Sequence, residues 1–127
     1  MCLLDTVIYW DASSIHCRAV SHRLPDNPLR SHGRLGAGCG IEYAAQAMAV
    51  HGALLAESNA PKSGYLVSAR SVEFLVHRLD NIDHDLIIEA VCSMRDEEHM
   101  LYEFQIKASE QLLMQGRAAV VLNGDAG

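Results

Sequence analysis

The chain changes its hydrophobic rhythm along its length. Leu3 to Trp10 and Ser14 to Ser21 are rich in β-forming residues such as Val7, Ile8 and Tyr9, and Asp11-Ala12-Ser13 separates the two runs. This predicts a strand pair joined by a turn. His22 to Cys39 has no period; it holds Pro25, Pro28, Asp26-Asn27 and glycines at 33, 36 and 38. It reads as a long irregular loop, and loops of that length in compact domains are usually functional. From Gly40 to Ala56 the chain is apolar almost all the way round a helical wheel. Such a helix, about 25 Å long at 1.5 Å per residue, belongs inside a protein. Pro61 cannot continue it.

Beyond the helix the period becomes two. Tyr65 to Ala69 and Val72 to His77 predict one long, bulged strand, and Leu86 to Cys92 the next. In Met100 to Lys107, Tyr102, Phe104 and Ile106 alternate with Glu103, Gln105 and Lys107, so one face is buried and the other wet. Leu112 to Leu122 is the last strand, Asp80–Asp85 and Arg95–Glu98 are polar turns, and Asn123–Gly127 is expected to fray. No internal repeat or low-complexity segment interrupts the order β-β-loop-α-β-β-β-β. That order predicts a single α+β domain over residues 1–127, an antiparallel sheet of about six strands wrapped round one long buried helix.

At 127 residues the chain is long enough for one core, and half of its residues are hydrophobic. No apolar run approaches the ~20 residues that span a bilayer, and no basic-then-apolar leader opens the sequence. Cys2, Cys17, Cys39 and Cys92 are scattered without a CxxC pair, which fits a reducing, cytoplasmic setting and argues against a structural zinc site. The histidines lack HxxxH or HxH spacing, so no metal is expected, and no cofactor either. The net charge of −6 speaks against nucleic acid. The charge is uneven: residues 1–78 carry +1 and residues 79–127 carry −7. Arg18, Arg23, Arg30 and Arg34 nevertheless cluster, either as a landing area for an acidic partner or as a solvated loop.

The residue that most needs a reason is Glu42. It sits in the first turn of a helix with otherwise apolar faces, where an ionisable group is costly unless it is bonded or has a task. It is either a capping carboxylate for first-turn N–H groups or a working acid. Gln46, one turn on, shares its face and is placed to hydrogen-bond the carboxylate.

Several segments together resemble a known family. Met1-Cys2-Leu3-Leu4-Asp5-Thr6-Val7 looks like an opening strand of Leu-Leu-x-Asp-x-Val type. Ile41-Glu42-Tyr43-Ala44-Ala45-Gln46-Ala47 looks like a helix motif in which an acid is followed four residues later by Gln. Arg78 to Leu86 resembles the turn after the long strand, and Gly116 to Val121 the closing strand. The family is that of the hotdog-fold 3-hydroxyacyl-[acyl-carrier-protein] dehydratases, and the wording from Gly40 to Ala49 is most similar to a divergent branch associated with aryl-polyene lipid clusters. The family's usual His-Phe-Pro-Gly segment has no counterpart; the loop offers His22 and His32 instead.

The resemblance implies dehydration of a 3-hydroxyacyl thioester carried by acyl carrier protein, within at least a homodimer or a heterodimer with a related hotdog subunit. A base removes a C2 proton, an acid protonates the departing hydroxyl, and a donor stabilises charge on the thioester oxygen. Glu42 is the expected acid, provided its surroundings are dry enough to offset the helix terminus. Gly40 is expected to expose a backbone N–H to substrate, and Gln46 to assist. For the base, His22 is favoured by its rigid position at the end of the second strand, and His32 by its spacing from Glu42. His51 lies about 13 Å along the helix from Glu42 and is expected to be packed or to contact a partner. His16, His77, His84 and His99 read as surface residues. Cys39, just before the helix, occupies a place that lowers thiol pKa, though no base accompanies it. A hotdog thioesterase with Glu42 activating water, and a non-catalytic partner subunit, are the other readings.

Overall fold

The computed structural model describes residues 3–55, 63–96 and 99–123. Strands β1 (Thr6–Trp10) and β2 (Ser14–Ala19) precede helix α1 (Gly40–Leu55), and β3 (Ser63–Phe74), β4 (Leu86–Arg95), β5 (His99–Ala108) and β6 (Gln111–Asn123) follow it. The six strands form one antiparallel sheet in the order β1-β2-β4-β5-β6-β3. The expected strand content and its order are therefore present. Boundaries differ at the ends: β1 starts at Thr6 rather than Leu3, β4 runs on to Arg95, and β6 includes Asn123. The expected helix end at Ala56, the stop at Pro61 and the tail from Gly124 lie outside the described residues.

The sheet buries the face that its alternation marks. Tyr102, Phe104 and Ile106 of β5 are buried together with Ile15, Cys17 and Ala19 of β2 and Leu86, Ile88 and Ala90 of β4. Against this face lies α1, through Tyr43, Ala44, Ala47, Met48, His51 and Gly52. Those positions repeat with the helical period and form a single stripe. The helix is therefore not enclosed on every side. Ala53 and Glu42 are exposed, and Ala45, Gln46 and Ala49 are half-buried. One sheet covers one side of a helix; the opposite side of an alanine-rich helix stays open in the single chain.

Two features of β3 matter for the open side of the sheet. The β3–β6 ladder slips between Arg70 and Glu73, where Ser71 takes a φ of 53°. This is the bulge expected between the two halves of the long strand. The other sits at the edge: β3 has a neighbour on one side only, and beyond its bulge Phe74 and Leu75 are 48% and 55% exposed. Edge strands with apolar ends are templates for pairing with another chain.

Candidate active site

The approach to α1 is set by a short antiparallel contact. Leu79 N–H donates to the Leu35 carbonyl at 2.7 Å, and Ala37 N–H to the His77 carbonyl at 2.9 Å. Asp80 fixes this corner. Its carboxylate accepts the Leu35 N–H at 2.8 Å and pairs with Arg78, whose hydrogen bond is the main reason the carboxyl stays well below the usual carboxylate range. A single 3-10 turn, Ala37–Cys39, then runs straight into α1.

That entry changes the role of Gly40. Its N–H donates to the Ala37 carbonyl, so it is not a free donor for a substrate oxygen. Its missing side chain has a packing reason instead. A Cβ there would collide with the Met114 sulfur and lie 3.1 Å from Ile106 Cδ1. The expectation that Gly40 exposes its N–H is corrected by this close helix–sheet approach.

Glu42 stands exposed on the open side of the first helical turn and makes no hydrogen bond or ion pair among the described residues. Among the described residues no dry pocket forms around it, because the sheet covers the other side of α1. Gln46 Oε1, expected beside the carboxylate, accepts the Leu3 N–H at 2.7 Å and ties the start of the chain to the helix. Cys39 is the neighbour that feels Glu42. Burial first, then the Glu42 charge, push the thiol up, against a smaller opposing effect of the bond to Gly36. The shift is thus opposite to the lowering expected of a thiol just before a helix.

Of the two candidate bases, His22 is wholly buried, in a 3-10 turn directly after β2. Its Nε2–H donates to the Ile82 carbonyl at 3.1 Å, leaving Nδ1 as the lone-pair nitrogen. Nδ1 is buried with no partner. Burial foremost lowers the pKa of the ring, and the charge of Arg23 adds to this; the hydrogen bond to Ile82 and, less, the nearby His84 backbone oppose it. The ring therefore favours the neutral form that a base needs. A second orphan lies in the same loop: Arg30 Nε is buried without a partner, while its terminal nitrogens donate to the carbonyls of Gly33 at 2.8 Å and His22 at 3.1 Å. His32 is exposed at the tip of a tight turn, where Ser31 and Arg34 exchange two backbone bonds and His32 and Gly33 take φ of 54° and 76°.

A directed chain of hydrogen bonds holds this loop to α1. Asn27 Nδ2 donates to the Tyr43 hydroxyl at 3.1 Å, Tyr43 to Ser21 Oγ at 2.8 Å, and Ser21 to the Leu3 carbonyl at 2.8 Å. None of these three residues stood out in the sequence. Their partners are 16 to 22 positions away, and only the Asn-Pro turn signal pointed at Asn27.

Four of the remaining histidines take the places expected of them, and the fifth, His16, is half-buried rather than on the surface. His51 is packed: Nδ1 accepts the Tyr102 hydroxyl at 2.6 Å and Nε2–H donates to the Asp11 carbonyl at 2.8 Å. His77, His84 and His99 are exposed, and His16 meets the Tyr9 ring edge-on. The arginine cluster is largely spent within the chain. Arg18 and Arg23 both pair with Asp85, at 3.9 and 2.7 Å, and Arg30 bonds backbone carbonyls. Among the described residues no group of three His, Cys, Asp or Glu side chains is placed to hold a metal, and no helix is long and apolar enough to cross a membrane.

A family model described as ApeP-like, ApeP dehydratase, matches residues 1–126. The chain belongs to this ApeP-like dehydratase family. No curated protein matches it. Among solved structures, the ApeI:P dehydratase heterocomplex from Xenorhabdus doucetiae superposes on this ApeP-like chain with a TM-score of 0.86 at 25% identity, covering 94% of this chain and 82% of the other. AziG from S. sahachiroi gives 0.70 at 13% identity over 94% and 91%. A thioesterase from Haemophilus influenzae gives 0.69 at 11% over 95% and 79%. The last two establish the fold alone. The architecture is the hotdog fold, as the resemblance implied, and the family is one of hotdog dehydratases.

Proposed function

We propose that this ApeP-like protein dehydrates 3-hydroxyacyl thioesters presented by acyl carrier protein, with Glu42 as general acid and a histidine as base. The observation that carries the reading is a carboxylate in the first turn of α1, on its open side, in a chain matched by a dehydratase family along nearly its whole length. The base takes a proton from C2. The electron pair forms the C2–C3 double bond, and the C3 hydroxyl leaves as water with the proton from Glu42. His22 is the better-prepared base. A backbone carbonyl orients its ring, and Nδ1 keeps an unpaired acceptor in place. Because the ring is fully buried in the single chain, this role requires its cover to open, and His32 is the exposed alternative.

The reading includes a second hotdog subunit, identical or related. The free edge of β3, the exposed Phe74 and Leu75, and the open alanine face of α1 beside Glu42 support it. A partner laid there would dry the carboxyl, the condition under which it keeps a proton to give. The test is Glu42→Gln in a folded protein, assayed for the conjugated enoyl product. A loss of about 10²–10⁴-fold is expected from removal of a general acid. Undiminished turnover removes Glu42 from the mechanism, and release of free thiol in place of enoyl product favours the thioesterase reading.

One observation favours a second reading, a non-catalytic partner subunit: within this chain Glu42 is open to solvent while His22 is sealed, and no hydrogen bond or ion pair joins them among the described residues. Activity that appears only on mixing with another hotdog protein, and that survives His22→Gln and His32→Gln, selects it.

A further inference from the structure

The outer face of the sheet, turned away from α1, carries a feature that the acyl chemistry does not use. Arg70 on β3 stands directly across from Arg117 on β6. Both are exposed, and neither has a hydrogen-bond or ion-pair partner among the described residues. Like charges directly opposite on one sheet face repel each other. Glu103 is the β5 residue opposite Arg117, yet it is not ion-paired to it. The two guanidinium groups border a groove of about 440 Å³ whose wall also includes Ser68, Leu101 and Ala119. Immediately after Arg70 the ladder slips, and Ser71 takes the left-handed φ of 53°. A bulge re-aims the side chains beside it, and a side-chain-bearing residue keeps such a φ only where its surroundings impose it.

We infer that this groove binds a phosphate group, seated between Arg70 and Arg117, with Leu101 and Ala119 beside it to take the apolar part of an amphiphile. Two guanidinium forks suit the oxygens and double charge of a phosphate, and an anion between them turns repulsion into two charge-assisted pairs. Glu103 also lines this groove, on the side of Arg117 away from Arg70, and its charge directs an anion toward Arg70. The phosphate is either free or the headgroup of an amphiphile. This inference stands apart from the proposed dehydration, since none of its residues belongs to the helix or the histidine loop.

The experiment follows the arginine side-chain NMR signals of the full chain during titration with inorganic phosphate and, separately, with hexyl phosphate. Saturable shifts at Arg70 and Arg117 are expected. Arg70→Gln or Arg117→Gln weakens binding by about tenfold, the scale of one charge-assisted pair. Glu103→Gln tightens it several-fold, a gain that damage to the fold does not produce. Tighter binding of hexyl phosphate assigns the amphiphile headgroup; equal binding assigns free phosphate. No saturable shift at millimolar ligand, or shifts that persist in the Arg70→Gln/Arg117→Gln double variant, overturn the site.

Discussion

His22 and His51 are both fully buried, at opposite ends of the region that α1 covers, and they are buried differently. His51 has a partner on each ring nitrogen: the Tyr102 hydroxyl from the middle of the sheet and the Asp11 carbonyl from the β1–β2 turn. It works as a strut between helix, sheet and hairpin. His22 has one partner, the Ile82 carbonyl, and an orphaned Nδ1. A buried acceptor without a donor is expensive, so folds seldom keep one without a use. The strut is the mark of structure, and the orphan is the mark of a site waiting for a ligand, a water or a reacting atom.

The sharpest way to break the contrast is to remove the lone pair and keep the bond. In His22→Gln an amide nitrogen can still donate to the Ile82 carbonyl, but no base remains. Dehydration should fall by about 10²-fold or more while the fold persists, read as kcat/KM beside a urea unfolding curve. Full activity makes His22 as structural as His51. The converse is His51→Leu, which leaves the Tyr102 hydroxyl and Asp11 carbonyl buried without partners. A stability loss of about 3 kcal/mol is expected. Adding Tyr102→Phe should restore part of it, because the stranded hydroxyl goes too, and a double-mutant cycle measures the coupling.

A smaller effect of His22 is read by pH. The lowered His22 pKa, caused mainly by burial, means that the unfolded chain binds that proton more readily. Its contribution is complete above about pH 6.5, the ordinary value, and is lost as pH falls toward the folded value, at most about 1.4 kcal/mol per pH unit. His22→Gln should flatten the acid side of the stability curve; equal slopes contradict the assignment. Smallest of all is Arg23→Gln next to it. The Arg23–Asp85 pair is partly exposed, so its loss should cost about 0.5 kcal/mol or less in the unfolding midpoint and leave His22 in place.

Much of the fold was legible along the chain, and the site much less so. Alternation in Met100–Lys107 marks a half-buried strand because side chains on a strand switch faces at every residue. The apolar run from Gly40 announces α1 but not which side of it stays open, since Ala45, Ala49 and Ala53 look as buried in sequence as Ala44 and Ala47. Gln46 was legible as a neighbour of Glu42, yet Leu3, 43 positions away, takes its oxygen. Gly40 was legible as a place of close approach, and what approaches is Met114. Local spacing cannot rank a partner one turn away against one brought from the far end of the chain.

The number, type and order of the elements, and the family to which they belong, could be read along the chain, because period and turn chemistry act over a few residues. Which histidine is satisfied and which is left wanting, and on which side of α1 Glu42 emerges, could not. His51 meets Tyr102 across 51 positions and His22 meets Ile82 across 60. Contacts of that span exist only once the sheet has closed over the helix, so burial and hydrogen-bond partners are properties of the folded chain.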